Sequence, residues 1–203
     1  MLDLELIRNG CMELYGSELT DEILRELVDD SPLMEGWNNL IQGCIDLGLK
    51  VAIISGGMQH TARKIAAFFP SEEDHKKRLG GIDFLTSKLY CEGKDTLLDV
   101  FTNGWTSCHH ESGIRRVEKT GRYQVEMNGK SSIVNLISSR YGFKKSEIVS
   151  VGDSAGDITM FNSSGLAICF NPYNDVPKKH ANIVIEEKNL NLVLDEIRKF
   201  FHS

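Results

Sequence analysis

A chain of 203 residues is long enough to bury a sizeable core in one domain with a small appendage. Its hydrophobic fraction of 41% and charged fraction of 26% are those of a globular protein, and a formal net charge of -6 argues against a dedicated nucleic-acid binder. Five scattered cysteines without C-x-x-C spacing suit reduced thiols better than a disulfide framework; with no membrane-length apolar run and no opening signal, a cytoplasmic protein is expected.

In chain order, Leu4, Ile7, Cys11 and Leu14 recur at helical spacing, and Gly16 stops that helix. Thr20 caps a second helix, with Asp21 and Glu22 in its first turn and Ile23, Leu24 and Leu27 as its apolar stripe. Ser31-Pro32 breaks it, and a third helix runs through Trp37, Leu40, Ile41, Cys44 and Ile45 to Gly48. The stretch KVAIISGG (50–57) then predicts a fully buried strand ending in two glycines, followed by a helix to Phe69. Residues 82–128 predict short strands and hairpins. Beyond Lys130 the rhythm is regular: helix Ser131–Tyr141, strand EIVSV, short helix Asp157–Asn162, strand LAICF, helix around Val176–His180, strand NIVIE and helix Leu190–Phe201. Strands alternating with helices predict an α/β fold with a parallel sheet. The purely helical residues 1–35 read as a cap on a core of 36–203, with 82–128 as its mixed region.

Ligands in open α/β sheets bind beyond the carboxyl ends of the strands, and two stretches sit at such ends. In IISGG, the Ser55 hydroxyl and the N–H groups of Gly56 and Gly57 at a helix start favour an anion such as phosphate; the plain alternative is a strand-to-helix turn. In VGDSAGD, Asp153 and Asp157 bring two acids to a turn. Beside a phosphate site they imply a cation between them, best Mg²⁺; otherwise Asp153 is a helix cap and Asp157 surface charge. NGKSS is not a P-loop, because Gln124 stands where the first glycine is required, but it leaves Lys130 at a helix start as a point charge. Cys108, His109, His110 and Glu111 match no zinc spacing and read as a loop. His60 falls on the first turn of its helix, in reach of a ligand or solvated.

The order of these motifs resembles the haloacid dehalogenase superfamily, and within it the phosphoserine-phosphatase-like branch. VAIISGG is similar to the second motif, Lys130 to the third-motif lysine, VGDSAGD to the fourth, and LAICFNPYNDVPKKHANIVI to the stretch that follows. SELTDEILRELVDDSPLMEGWNNLI is similar to the end of the cap and the return helix, so the resemblance covers nearly the whole chain. It implies a Rossmann-like parallel sheet with a small helical cap at the N-terminus, and Mg²⁺-dependent hydrolysis of a small phosphorylated metabolite through an aspartyl-phosphate. It also implies that Ser55, Gly56, Gly57 and Lys130 hold the phosphoryl group. Asp153 would bind the metal, and Asp157 would support the metal shell or hold Lys130 in place.

The family's nucleophile lies in a D-x-D-x-T motif ending a strand ahead of the cap. LDLELI (2–7) imitates it with Asp3 and Glu5, but two preceding residues are too few for a buried strand. The resemblance therefore implies a chain that begins inside its cap, and one that alone is inactive and poorly stable. A non-catalytic phosphate-binding relative is the second reading. A nucleotide-binding module is the third, and it lacks both glycine fingerprints. Arg115, Arg116 and Arg122 stand as possible contacts for a carboxylate or second phosphate, or as loop surface; the sequence carries no signature of oligomeric state.

Overall fold

The computed structural model describes residues 21–71, 96–103, 107–109, 115–117, 125–126 and 128–202. The expected helix at 2–15, Asp3 and Glu5, and most of the 82–128 region lie outside the described residues. The chain divides into two compact units, Met1–Pro32 with Ala52–Glu126 and Leu33–Val51 with Met127–Ser203.

In the first unit, α1 (Asp21–Asp29) packs on α3 (Gln59–Ala67). The Lys64 ammonium of α3 donates to the carbonyls of Val28 and Asp29 at 2.9 and 3.1 Å, satisfying the open C-terminal end of α1. Strand β1 (Val51–Met58) pairs with β2 (Leu98–Asn103), and α3 packs on β2. Every residue of β2 is buried. The expectation of a fully buried β1 ending at its glycines is corrected here. The strand runs through Gly56 and Gly57 to Met58, Ile53 to Gly56 are only half-buried, and Ala52 and Gly57 are exposed. The physical reason is that β1, among the described residues, belongs to a two-stranded sheet. A separate antiparallel ribbon joins β3 (Ser107–His109) to β4 (Arg115–Val117).

In the second unit, α2 (Trp37–Asp46), α4 (Lys130–Tyr141) and α7 (Leu190–His202) accompany a parallel sheet. Its strands lie in the order β5 (Val149–Gly152), β6 (Leu166–Phe170), β7 (Ile183–Ile185). This is the α/β arrangement expected, with Gly152 level with Cys169 at the carboxyl ends. Alternation along β6 sends Leu166, Ile168 and Phe170 into a core with Cys44 of α2 and Val193, Leu194 and Ile197 of α7. The helices approach closely because Gly43 lacks a side chain: a Cβ there would lie 2.7 Å from Leu194 Cδ2. Gly36, at φ 80°, caps α2 in the left-handed region, and its neighbour Glu35 accepts the Leu190 N–H at 2.8 Å, tying the starts of α2 and α7 together. The remaining helices, α5 (Ile158–Phe161) and α6 (Asp175–Lys178), are single turns between strands.

Ile168 is fully buried at the centre of this core. Ile168→Ala is expected to cost about 2–5 kcal/mol, measured as a drop in the urea midpoint with an unchanged slope.

Candidate functional site

Strand β5 ends at Gly152, where the chain leaves the sheet and makes a 3-10 turn, Ala155–Asp157. That turn sends Asp157 back beneath the strand end, where it is 2% exposed. A carboxylate so placed must be compensated, and four donors do it. Lys130 Nζ donates to Oδ1 at 2.5 Å. The other oxygen, Oδ2, accepts the Asp153 N–H at 3.0 Å and both the Ser154 N–H and hydroxyl at 2.9 Å. Burial pushes Asp157 up, but Lys130 and Ser154 outweigh it and hold the carboxyl below its ordinary value.

Lys130 is the first residue of α4, behind Gly129, and is largely buried. Gly152 is what admits the pair. A Cβ at that position would collide with Asp157 Cβ and Cγ and come within 2.7 Å of its Oδ2. Asp153 is exposed at the same strand end. Partial burial of its carboxyl and then the Asp157 charge beside it raise its pKa, making it the more readily protonated acid of the two.

Of the two roles expected for Asp157, holding Lys130 corresponds to a contact in the structure, the bond from Nζ to Oδ1. Its alternative reading as surface charge is corrected by its burial, and a cap role falls to Ser154, which opens the 3-10 turn in place of Asp153. Asp153 fits a hard cation, since Mg²⁺ is commonly held by one or two carboxylates plus phosphate oxygens. Among the described residues no three His, Cys, Asp or Glu side chains converge as a metal group.

The first unit carries the other expected residues. Ser55 is half-buried on β1, and its Oγ accepts the Gly57 N–H at 3.1 Å. That amide is therefore used within the strand end. Asn103 of β2 fixes this strand end, donating to the Gly56 carbonyl at 3.0 Å and the Val125 carbonyl at 3.1 Å while its Oδ1 accepts the Val125 N–H. His60 does lie on the first turn of α3, but it is 2% exposed, so the solvated reading is corrected. Cys108 and His109 sit on β3, opposite Arg116 and Arg115 of β4. His110, Glu111 and Arg122 lie outside the described residues.

Sequence reasoning missed Ser154, Gly152 and Asn103. The spacing Ser154-x-x-Asp157 is a helix-start signature in which the acid reaches back to the cap N–H, and it was available to be read. Gly152 and Asn103 become informative only once their neighbours are known.

The model of the haloacid dehalogenase-like hydrolase family matches residues 107–197. Phosphoserine phosphatase of Archaeoglobus fulgidus is 27% identical over 172 residues, 83% of this chain and 40% of that protein. The Campylobacter jejuni enzyme of the same name is 26% identical, over 85% of this chain and 68% of its own. A solved phosphoserine phosphatase with bound substrate superposes with a TM-score of 0.68 at 23% identity, covering 96% of this chain and 78% of that one. The fold is that of the Rossmann-like haloacid dehalogenase phosphatases. The chain is thus similar to haloacid dehalogenase-like hydrolases over residues 107–197 and to phosphoserine phosphatases over most of its length, and it shares the fold of the solved one. The chain spans 40% of the length of the Archaeoglobus relative.

Removing the cation should expose the cost of the buried carboxylate. Lys130→Met is expected to destabilise the fold by about 3–5 kcal/mol at neutral pH. The sign follows from Asp157: its lowered pKa contributes stability above the ordinary carboxylate value, lost as pH falls through the folded value. Without Lys130, burial raises that pKa, so the deficit of the variant should shrink in acid, and Lys130→Met with Asp157→Asn should recover part of it. Urea midpoints compared from pH 3 to 8 check this; a deficit independent of pH would contradict it. Separately, Gly152→Ala should cost about 1–3 kcal/mol through overpacking against Asp157, read by the same melts.

Proposed function

We propose that this protein handles small phosphorylated metabolites, phosphoserine-like in size, as a Mg²⁺-dependent phosphoric-monoester hydrolase working through an aspartyl-phosphate. The observation that carries the reading is the Lys130–Asp157 pair beneath the carboxyl end of a parallel strand whose next residue is an exposed acid, Asp153. Lys130, held by Asp157, offsets negative charge on the phosphoryl group, and Asp153 is the carboxylate that would hold Mg²⁺. The metal, when bound, neutralises phosphoryl oxygens. Ser55, with Gly56 and Gly57, is assigned by the resemblance to bind the transferring group, and Asn103 keeps the Gly56 carbonyl turned inward to the β2 side. Residues 1–35 are read as cap and 36–203 as core.

A second reading, a phosphate-binding relative without turnover, is favoured by one observation. The carboxylates of this strand end are committed to holding Lys130 and, in this reading, a cation, so the attacking aspartate is not one of them. Cys44 and Cys169, both buried and unpaired, support a reducing, cytoplasmic setting. No described helix is long and apolar enough to cross a membrane.

The test has two readouts on the same protein: binding of phosphoserine and inorganic phosphate with and without Mg²⁺ by calorimetry, and phosphate release. Binding that strengthens with Mg²⁺ and is lost in Asp153→Ala is the expected result. Release in addition would place the nucleophile within this chain, Asp3 being the candidate. Absence of both overturns the reading.

A further inference from the structure

The amino ends of the three parallel strands form a second polar cleft, at the end of the sheet opposite Asp153. It is an open depression of about 690 Å³, lined by Lys144, Lys145, Asn162, His180 and Asn182, among others. These residues come from the turns that immediately precede β5 and β7 and from the turn that follows α5, so the cleft belongs wholly to the second unit. Strand β5 is four residues long, which separates this end of the sheet from Asp153 by roughly 13 Å.

These polar residues of the cleft are exposed, and three features distinguish it. First, its charge is one-sided in a protein of net charge -6. Among the described residues Lys144 and Lys145, like Lys50, Lys179 and Lys188, have no carboxylate within 4 Å, whereas Lys64, Lys130, Lys178 and Lys199 do. The acid nearest in sequence, Glu147, turns its carboxylate back to accept the Lys144 backbone N–H at 2.7 Å. Second, Asn182 is pinned: its Oδ1 accepts the Ala167 N–H at 2.8 Å, which fixes the amide orientation and leaves Nδ2 as its donor. Third, the wall is held by backbone against backbone. Gly165 lies so close to the 144–146 turn that a Cβ would come within 2.8 Å of the Lys145 carbonyl and Ser146 Cα, while Gly165 and Leu166 N–H groups both reach the Ile148 carbonyl.

We propose that this cleft is a second anion site, taking the phosphate group of a small phosphorylated molecule or free phosphate itself. Two unneutralised ammonium groups supply charge, the fixed Asn182 amide supplies a directed neutral donor, and the His180 imidazole lines the same space. This assignment does not depend on the catalytic reading, because no residue of the Lys130–Asp157 site takes part.

The experiment is a titration of the full chain with inorganic phosphate, and separately with glycerol phosphate, followed by NMR at the Asn182 side-chain amide and the backbone amides of Lys144 to Ser146. Sodium chloride at matched ionic strength is the control. Saturable shifts at these positions are expected, with binding weakened about tenfold in Lys144→Gln/Lys145→Gln. Shifts at the Lys130 and Asp153 amides report the other site, so failure of one is distinguishable from failure of the other. Tighter binding of glycerol phosphate assigns an organic phosphate, and equal binding assigns the free ion. No shift at 144–146 and 182, shifts matched by chloride, or shifts unaltered in the double variant would overturn the proposal.

Discussion

The constraint on which the candidate site depends is a carboxylate that cannot see water. Asp157 is 2% exposed, and an uncompensated charge there would be too costly for a marginally stable fold. Four donors make it tolerable, and the arrangement imposes three local requirements. Lys130 must open α4 next to the end of β5, Ser154 must extend the chain before the 3-10 turn, and Gly152 must carry no side chain. Geometry that satisfies Asp157 thus also places an ammonium group and an exposed acid, Asp153, at one strand end. The chemistry proposed there is a consequence of how one buried charge is satisfied.

The sheet beneath makes that arrangement rigid. Ile168 and Phe170 of β6 are clamped by α2 and α7, although α2 is contributed by residues 33–51, far earlier in the chain than its partners. Two glycines make the insertion fit: Gly43 lets α2 approach Leu194, and Gly36 turns the chain so that Glu35 meets the start of α7. A stable end of the sheet is what allows a short 3-10 turn to hold a polar network in place. The same rigidity at the opposite end, where Gly165 packs on the 144–146 turn, gives the basic cleft its fixed walls.

The first unit follows a different logic. Strand β1 carries its two glycines inside the strand, and the Ser55 hydroxyl is engaged by the Gly57 N–H. Asn103, from a strand more than forty residues later, finishes the job by bonding the Gly56 and Val125 carbonyls together. The Ser-Gly-Gly end of β1 is therefore shaped by a distant amide as well as by its own hydroxyl.

The sequence by itself determined the elements of the regular region and the candidates for its charged site. Periodicity placed α4, β5, β6, β7 and α7 within a residue or two of their observed bounds, because a half-buried helix and a buried strand write their periods into the chain. The motif order, through its resemblance to a known family, brought Lys130, Asp153 and Asp157 forward as candidates, near the carboxyl strand ends where ligands bind in α/β sheets. Only the tertiary structure decided that Asp157 holds Lys130 while Asp153 faces outward, that His60 is buried, and that β1 is half-exposed. Those outcomes depend on which neighbours arrive from elsewhere in the chain. A carboxylate reads the same in sequence whether it meets water or an ammonium group, and burial, which separates the two, is a property of the packed molecule.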